Sequence, residues 1–154
     1  LVPYTQALLE QHGLPAEALK MEVTESALIS EPQKAIKSMQ ALAKLGVKLA
    51  LDDFGTGYSS LTYLKQLPLD ILKIDRSFVS GIGADKTDEA IVDATLVLAE
   101  RLGMQCIAEG VETREQQAYL AERNCHIIQG YLYSKPVEAD IISAALKENN
   151  RKIR

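Results

Sequence analysis

Short apolar runs alternate with amphipathic stretches along the whole chain, and this alternation restricts the possible folds more than any other feature. The runs stand at Leu19–Val23, Val47–Leu51, Ile71–Ile74, Gln105–Ala108 and His126–Tyr131. Between the first two, Ala35, Ile36, Met39, Leu42 and Ala43 recur at helical spacing over Glu31–Leu45. Ser30 is the expected N-cap, Pro32 falls in the first turn and Gly46 supplies the stop. A second helix is predicted from about Asp88 to Leu102, with Ile91, Ala94, Leu98 and Leu102 on one face and Gly103 closing it. A third begins at Thr113, where Gln116 is placed to complete a capping box. A fourth lies near Glu138–Lys147, and the basic residues Arg151–Arg154 read as a frayed tail beyond a domain of residues 1–150. Strand and helix in alternation specify an α/β fold with a parallel sheet. No linker-like or low-complexity stretch divides the chain, and 154 residues suit one domain.

Composition narrows the function. An apolar share of 47% is ample for a core, and 17 basic against 21 acidic residues give a net charge of −4. That balance argues against DNA, RNA or an anionic membrane surface as partner. A small anionic ligand remains compatible, provided metal ions or a local basic group meet it. No run approaches the roughly 20 apolar residues of a membrane span. The start is not signal-like, and Leu1 in place of methionine reads as a piece of something longer. Cys106 and Cys125 lie in apolar surroundings without C-x-x-C spacing, which favours two reduced thiols in a cytoplasmic domain over a disulfide or zinc site. His126 follows Cys125 directly, and neighbours on a strand face opposite ways, so the two do not chelate together.

The polar residues inside these runs carry the chemistry. On the second run Lys48, Ala50 and Asp52 share one face and Val47, Leu49 and Leu51 the other, so helices covering the apolar face send Asp52 inward. The same alternation sets Glu22, Lys73, Glu109 and Gln129 at comparable positions on the other runs. Taken singly, each is explained as a helix-capping acid or a solvated strand end. Five together, one per strand at one end of the sheet, describe the active-site face of a (β/α) barrel. Converging carboxylates repel one another unless an ion compensates them, and an oxygen-rich set suits Mg²⁺ or Mn²⁺. Asp53 can join Asp52 only if the strand breaks between them, with Asp53 leading the loop Phe54-Gly55-Thr56-Gly57-Tyr58-Ser59-Ser60. The pattern Gly55-x-Gly57-x-x-Ser60 also looks like a damaged dinucleotide fingerprint, but it lacks the third glycine and has acids where a pyrophosphate would sit.

Four segments together resemble the C-terminal part of an EAL domain: MEVTES at Met21–Ser26, LALDDFGTGYSSLTYLKQLPLDILKIDRSFV at Leu49–Val79, IAEGVET at Ile107–Thr113 and QGYLYSKP at Gln129–Pro136. The resemblance implies a TIM-like barrel, here an incomplete one of about five βα units. It implies a bacterial signalling phosphodiesterase that linearises cyclic di-GMP (c-di-GMP) to pGpG with two metal ions, Mg²⁺ or Mn²⁺. By motif, Glu22, Asp52, Asp53 and Glu109 match metal-holding acids, and Lys73 the lysine that orients the attacking water. Gln129 matches a polar residue of the same centre, and Glu112 another acid near it. Glu25 matches the acid that braces the Asp53–Leu61 loop with its Gly55, Thr56 and Gly57. Dimerisation or other self-association is expected, as is a cytoplasmic location, with a membrane-attached sensor as the larger setting. The chain's two histidines, His12 on an N-terminal helix and His126 at a strand start, fall outside this chemistry.

The chain departs from the family pattern at its start. Glu17-Ala18-Leu19 lies five residues before Glu22 and lacks the following x-Arg, so it is not the name-giving motif, which belongs to an earlier strand. None of Asn124, Asn149 or Asn150 matches the family's metal-binding asparagine. A truncated barrel with open edges and a weakened metal site is therefore expected to catalyse poorly. The alternatives are an inactive EAL-type c-di-GMP receptor or interaction module, and an unrelated barrel enzyme using Lys73 as a Schiff base. Acids crowding Lys73 favour its charged form and oppose the last of these.

Overall fold

A computed structural model of the chain describes residues 1–57 and 64–152. Tyr58, Ser59, Ser60 and Leu61, quoted above within the loop motif, lie outside the described residues, as do positions 153–154. Helix α1 (Val2–His12) and a single 3₁₀ turn at Ala16–Ala18 lead into β1 (Lys20–Thr24). Helices α2 (Glu25–Ser30) and α3 (Pro32–Leu45) connect it to β2 (Lys48–Phe54), and β3 (Ile71–Ile74) follows. Helices α4 (Arg76–Ser80) and α5 (Lys86–Leu102) precede β4 (Gln105–Glu109). Helix α6 (Arg114–Glu122), β5 (Ile127–Gln129) and α7 (Ala139–Lys152) complete the order.

All neighbouring strands pair in parallel, and their order is β1-β2-β3-β4-β5. A sheet that advances one strand at a time has no switch point of the doubly wound kind. In a sheet of this order, crossovers of the right-handed kind general to parallel strands place the connecting helices on one face, as around a (β/α) barrel. The predicted alternation holds along β2, where Val47, Leu49 and Leu51 enter the core while Lys48 is exposed. Those residues pack with Ile36, Met39 and Leu42 of α3 and with Leu72 of β3. A second cluster joins Ile74 and Ala108 to Val79, Val92 and Leu120 of the helices beyond.

The helix starts differ in detail from the sequence expectation. Ser30 ends α2 and donates its hydroxyl to the Ala27 carbonyl, so it does not cap α3, whose N-cap is Glu31 and carries no side-chain capping hydrogen bond. Helix α5 begins at Lys86, ahead of the expected Asp88, because the Asp85 carboxylate accepts from the Thr87 and Asp88 amides. The Thr113–Gln116 capping box of α6 is formed from both sides. Cys106 and Cys125 are free thiols. No described helix is long and apolar enough to cross a membrane.

Candidate active site

Strand β3 delivers Lys73 between Leu72 and Ile74, which are fully buried on the helix side, so its side chain turns to the opposite face. The whole residue is only 5% exposed. Its Nζ lies 2.8 Å from Glu22 of β1, 2.9 Å from Asp52 of β2 and 2.7 Å from Glu109 of β4. Four adjacent strands thus converge on one ammonium group. Burial alone would lower the lysine's proton affinity, but the hydrogen bonds it donates to Glu109, Glu22 and Asp52 outweigh it and hold the group well above the ordinary lysine range.

Asp53 reaches this cluster through an irregularity in the strand. The β2–β3 register shifts between Leu51 and Phe54, and Asp53 adopts the left-handed conformation at φ 55°. Aspartate tolerates this region better than most residues, since its short side chain can bond locally. The expected break between Asp52 and Asp53 therefore takes the form of a bulge. One carboxylate oxygen from each of Asp52, Asp53 and Glu109 comes within 4.8 Å of the others, a spacing that fits one divalent cation. Burial raises the Asp53 proton affinity, and the charges of Asp52 and Asp75 raise it further. A hard cation with oxygen ligands would relieve that repulsion.

The turn after Asp53 is held from α2. Glu25, 2% exposed, accepts through Oε2 from the amides of Gly55 and Gly57, each at 3.2 Å. Thr56 donates its hydroxyl to the Asp53 carbonyl at 2.8 Å. Glycine is required twice here. Gly55 has φ 94°, and a Cβ on Gly57 would stand 2.9 Å from Glu25 Oε1.

Gln129 and Glu112 stand apart from the Lys73 cluster. Together with Glu109 they line a neighbouring cleft of about 850 Å³, whose walls also carry Arg76 and Lys135. Glu109 thus borders both the acid cluster and a space with cationic walls, which suits an anionic ligand. Sequence reasoning overlooked Asp75 and Arg76. Asp75 follows β3 directly, as Asp53 follows Asp52, and its carboxylate meets that of Asp53 while accepting from the Ser77 amide. Its position after a strand end was the available signal, but strand alternation stops at that point. The basic residues Arg76 and Lys135 have no periodic pattern to mark them.

The sequence matches the profile of the EAL domain family over residues 1–136. It is 47% identical over 154 residues to the cyclic di-GMP phosphodiesterase NbdA of Pseudomonas aeruginosa, covering 100% of this chain and 19% of that protein. The structure of the P. aeruginosa MucR phosphodiesterase in complex with c-di-GMP superposes with a TM-score of 0.85 at 41% identity, over 89% of this chain and 56% of that one. Klebsiella pneumoniae BlrP1, in its manganese and c-di-GMP complex, gives a TM-score of 0.81 at 37% identity over 88% of this chain and 34% of that one. The chain spans about a fifth of the length of the curated relatives NbdA and MucR. Its five parallel strands form part of a TIM-like barrel. The chain belongs to the EAL domain family.

Proposed function

We propose that this chain carries the acid-rich face of a metal-dependent phosphodiesterase that hydrolyses c-di-GMP to linear pGpG. The observation that carries this reading is the convergence of Glu22, Asp52 and Glu109 on Lys73, with Asp53 beside them. In it, Asp52, Asp53 and Glu109 hold Mg²⁺ or Mn²⁺, with Glu22 at the rim. A divalent ion held there would supply Lewis-acid polarisation of the phosphodiester and lower the pKa of water, so that hydroxide is available as the nucleophile.

The chain's own residues do the remaining work. Lys73 keeps its proton and fixes the three carboxylates with its three N–H groups, and an N–H freed when one of those acids turns to the metal would orient a water molecule. It does not act as a free amine, which weighs against Schiff-base chemistry. Glu25 positions Asp53 by holding Gly55 and Gly57. Arg76 and Lys135 draw the phosphate anion into the cleft beside Glu109, where Gln129 and Glu112 contribute polar contacts. The reading also places the domain in the cytoplasm and gives it a tendency to self-associate. Support for the latter comes from Ile141, Ile142 and Leu146, which α7 leaves exposed; light scattering over a concentration series tests it.

The decisive assay follows pGpG release from c-di-GMP by the full natural chain with Mg²⁺ or Mn²⁺, alongside Glu22→Ala and Asp52→Asn. Product formation that drops to background in both variants supports the enzyme. Tight c-di-GMP binding without product would instead support a receptor.

A further inference from the structure

Beyond the acid cluster, the exits of β3, β4 and β5 are packed backbone against backbone. Strand β4 ends at Glu109, and Gly110 and Val111 follow it. Val111 is fully buried in the second core cluster. Its amide donates to the Gln129 carbonyl at 3.1 Å, and its carbonyl accepts from the Leu132 amide at 3.0 Å. These two bonds carry the β4–β5 pairing past Glu109 and Gln129, the last pair of the strand register. Gly130 lies between the two partners. A Cβ placed on it would overlap the Val111 backbone, with the carbonyl carbon 2.7 Å away and the oxygen and nitrogen closer still. The φ of Gly130 is not positive, so space rather than backbone angle reserves the position for glycine.

The other side of this segment is as tight. A Cβ on Gly110 would overlap the Arg76 Cβ and stand 3.2 Å from the Arg76 Cα. Gly110 and Val111 are thus gripped between the exit of β3 and the exit of β5. An acid stands at each end of the gripped pair. Glu112 follows it, and its amide donates to Gln116 Oε1 at 2.7 Å. Glu109 precedes it, with Oε1 2.7 Å from Lys73 Nζ and a carboxylate oxygen within 4.8 Å of oxygens of Asp52 and Asp53. Backbone atoms have no rotamer to change, so a methyl group on Gly130 would force the exits of β4 and β5 apart. A metal site tolerates little of that, since its groups must be held within about 0.5 Å of the working geometry.

We infer, resting on the metal-dependent reading above, that Gly130 is a positioning residue of the site. It acts through Val111: by letting the exit of β5 close on that residue, it sets where β4 ends and therefore where Glu109 stands.

Calorimetric titration of the full natural chain with Mn²⁺ tests this, at the site that Asp52→Asn abolishes. Gly130→Ala is expected to weaken Mn²⁺ binding there by about 10- to 100-fold, the usual cost of disturbing groups that support metal ligands. Gly103→Ala is the control. Gly103 closes α5 at φ 71° with open space around it, at the opposite end of β4 from Glu109, so alanine strains the fold there without approaching the acids. Both variants should melt lower, and only Gly130→Ala should lose affinity. Unchanged Mn²⁺ affinity in Gly130→Ala overturns the inference, as does an equal loss in Gly103→Ala. If Gly130→Ala does not fold, the grip is tested from its other side. Gly110→Ala should then weaken binding, and adding Arg76→Gly, which removes the Cβ it meets, should recover part of the loss. Effects of those two substitutions that simply add overturn the inference. A wild type that binds Mn²⁺ at this site but releases no pGpG ends the phosphodiesterase reading alone; one that binds no Mn²⁺ ends both.

Discussion

An ammonium group with three carboxylates within 2.9 Å cannot be removed without stranding negative charge, and Lys73 is in that position. Its proton affinity is raised on folding, so the associated stability is fully present below the unfolded lysine value, about 10.4, and is lost only as pH climbs through the higher folded one. Lys73→Met is expected to destabilise the chain by about 3 kcal/mol, the lower range for breaking a buried pair, because Glu22 is half exposed and water can share its charge. Urea unfolding checks it, and the deficit should be level between about pH 6 and about pH 9. Asp70 shows the opposite sign at the other end of the sheet. Burial raises its proton affinity, but the Lys48 ammonium at 2.6 Å and the Leu49 amide at 3.0 Å outweigh this and hold the carboxyl below its usual range. Asp70→Asn should therefore cost about 1 kcal/mol at neutral pH, discounted for the exposure of both partners. That cost should shrink as pH falls below about 4, where the unfolded carboxyl gains its proton and the native one follows. A cost unchanged by acid would contradict the assignment. Lys73 was legible from alternation alone, since it stands between two apolar neighbours; Asp70 and Asp75 flank the strand, where alternation carries no information.

At the scale of elements, the turn after β2 depends on a side chain 30 residues earlier. No local pattern announces such a bond, and only the resemblance of the segment at Met21–Ser26 pointed to Glu25. Removing that carboxylate leaves the Gly55 and Gly57 amides short of an acceptor. Glu25→Ala is expected to cost about 2 kcal/mol in urea unfolding and Glu25→Gln less, because the amide oxygen still accepts. Equal losses in the two variants would show that packing volume, rather than the acceptor, is what matters. Helix starts divide in the same way. The Thr113–Gln116 box is a sequence-local device and was readable; Thr113→Ala should lower stability by about 1 kcal/mol in thermal unfolding. Ser30 misled because α2, six residues long, is too short to show periodicity, so the first cap-like residue before α3 already belonged to another helix.

For the molecule as a whole, the parallel strands and the covering helices followed from alternation of apolar runs, because a period of two and a period of 3.6 are both properties of sequence; the strand order did not, since a doubly wound sheet alternates in the same way. Assembly of the acids did not follow with the same detail. It required the bulge at Asp53, a non-local consequence of how β2 meets β3. That geometry links the site to global stability. Asp52, Asp53 and Glu109 lie close together, and burial, with the charges of Asp52 and Asp75 added, makes Asp53 hold its proton more tightly. A cation binding there in the folded state, with no equivalent site in the unfolded chain, stabilises by mass action, about 2.7 kcal/mol at a hundredfold excess over its Kd. Mn²⁺ should therefore raise the melting temperature of the folded chain, and a chelator should reverse the rise. Asp52→Asn removes a ligand charge and one partner of Lys73, so its metal-free form should melt lower while responding far less to Mn²⁺. Calorimetry with and without metal separates the two effects. An equal Mn²⁺ shift in the wild type and in Asp52→Asn would place the bound ion elsewhere on this acidic chain and remove the chemical basis for the phosphodiesterase reading.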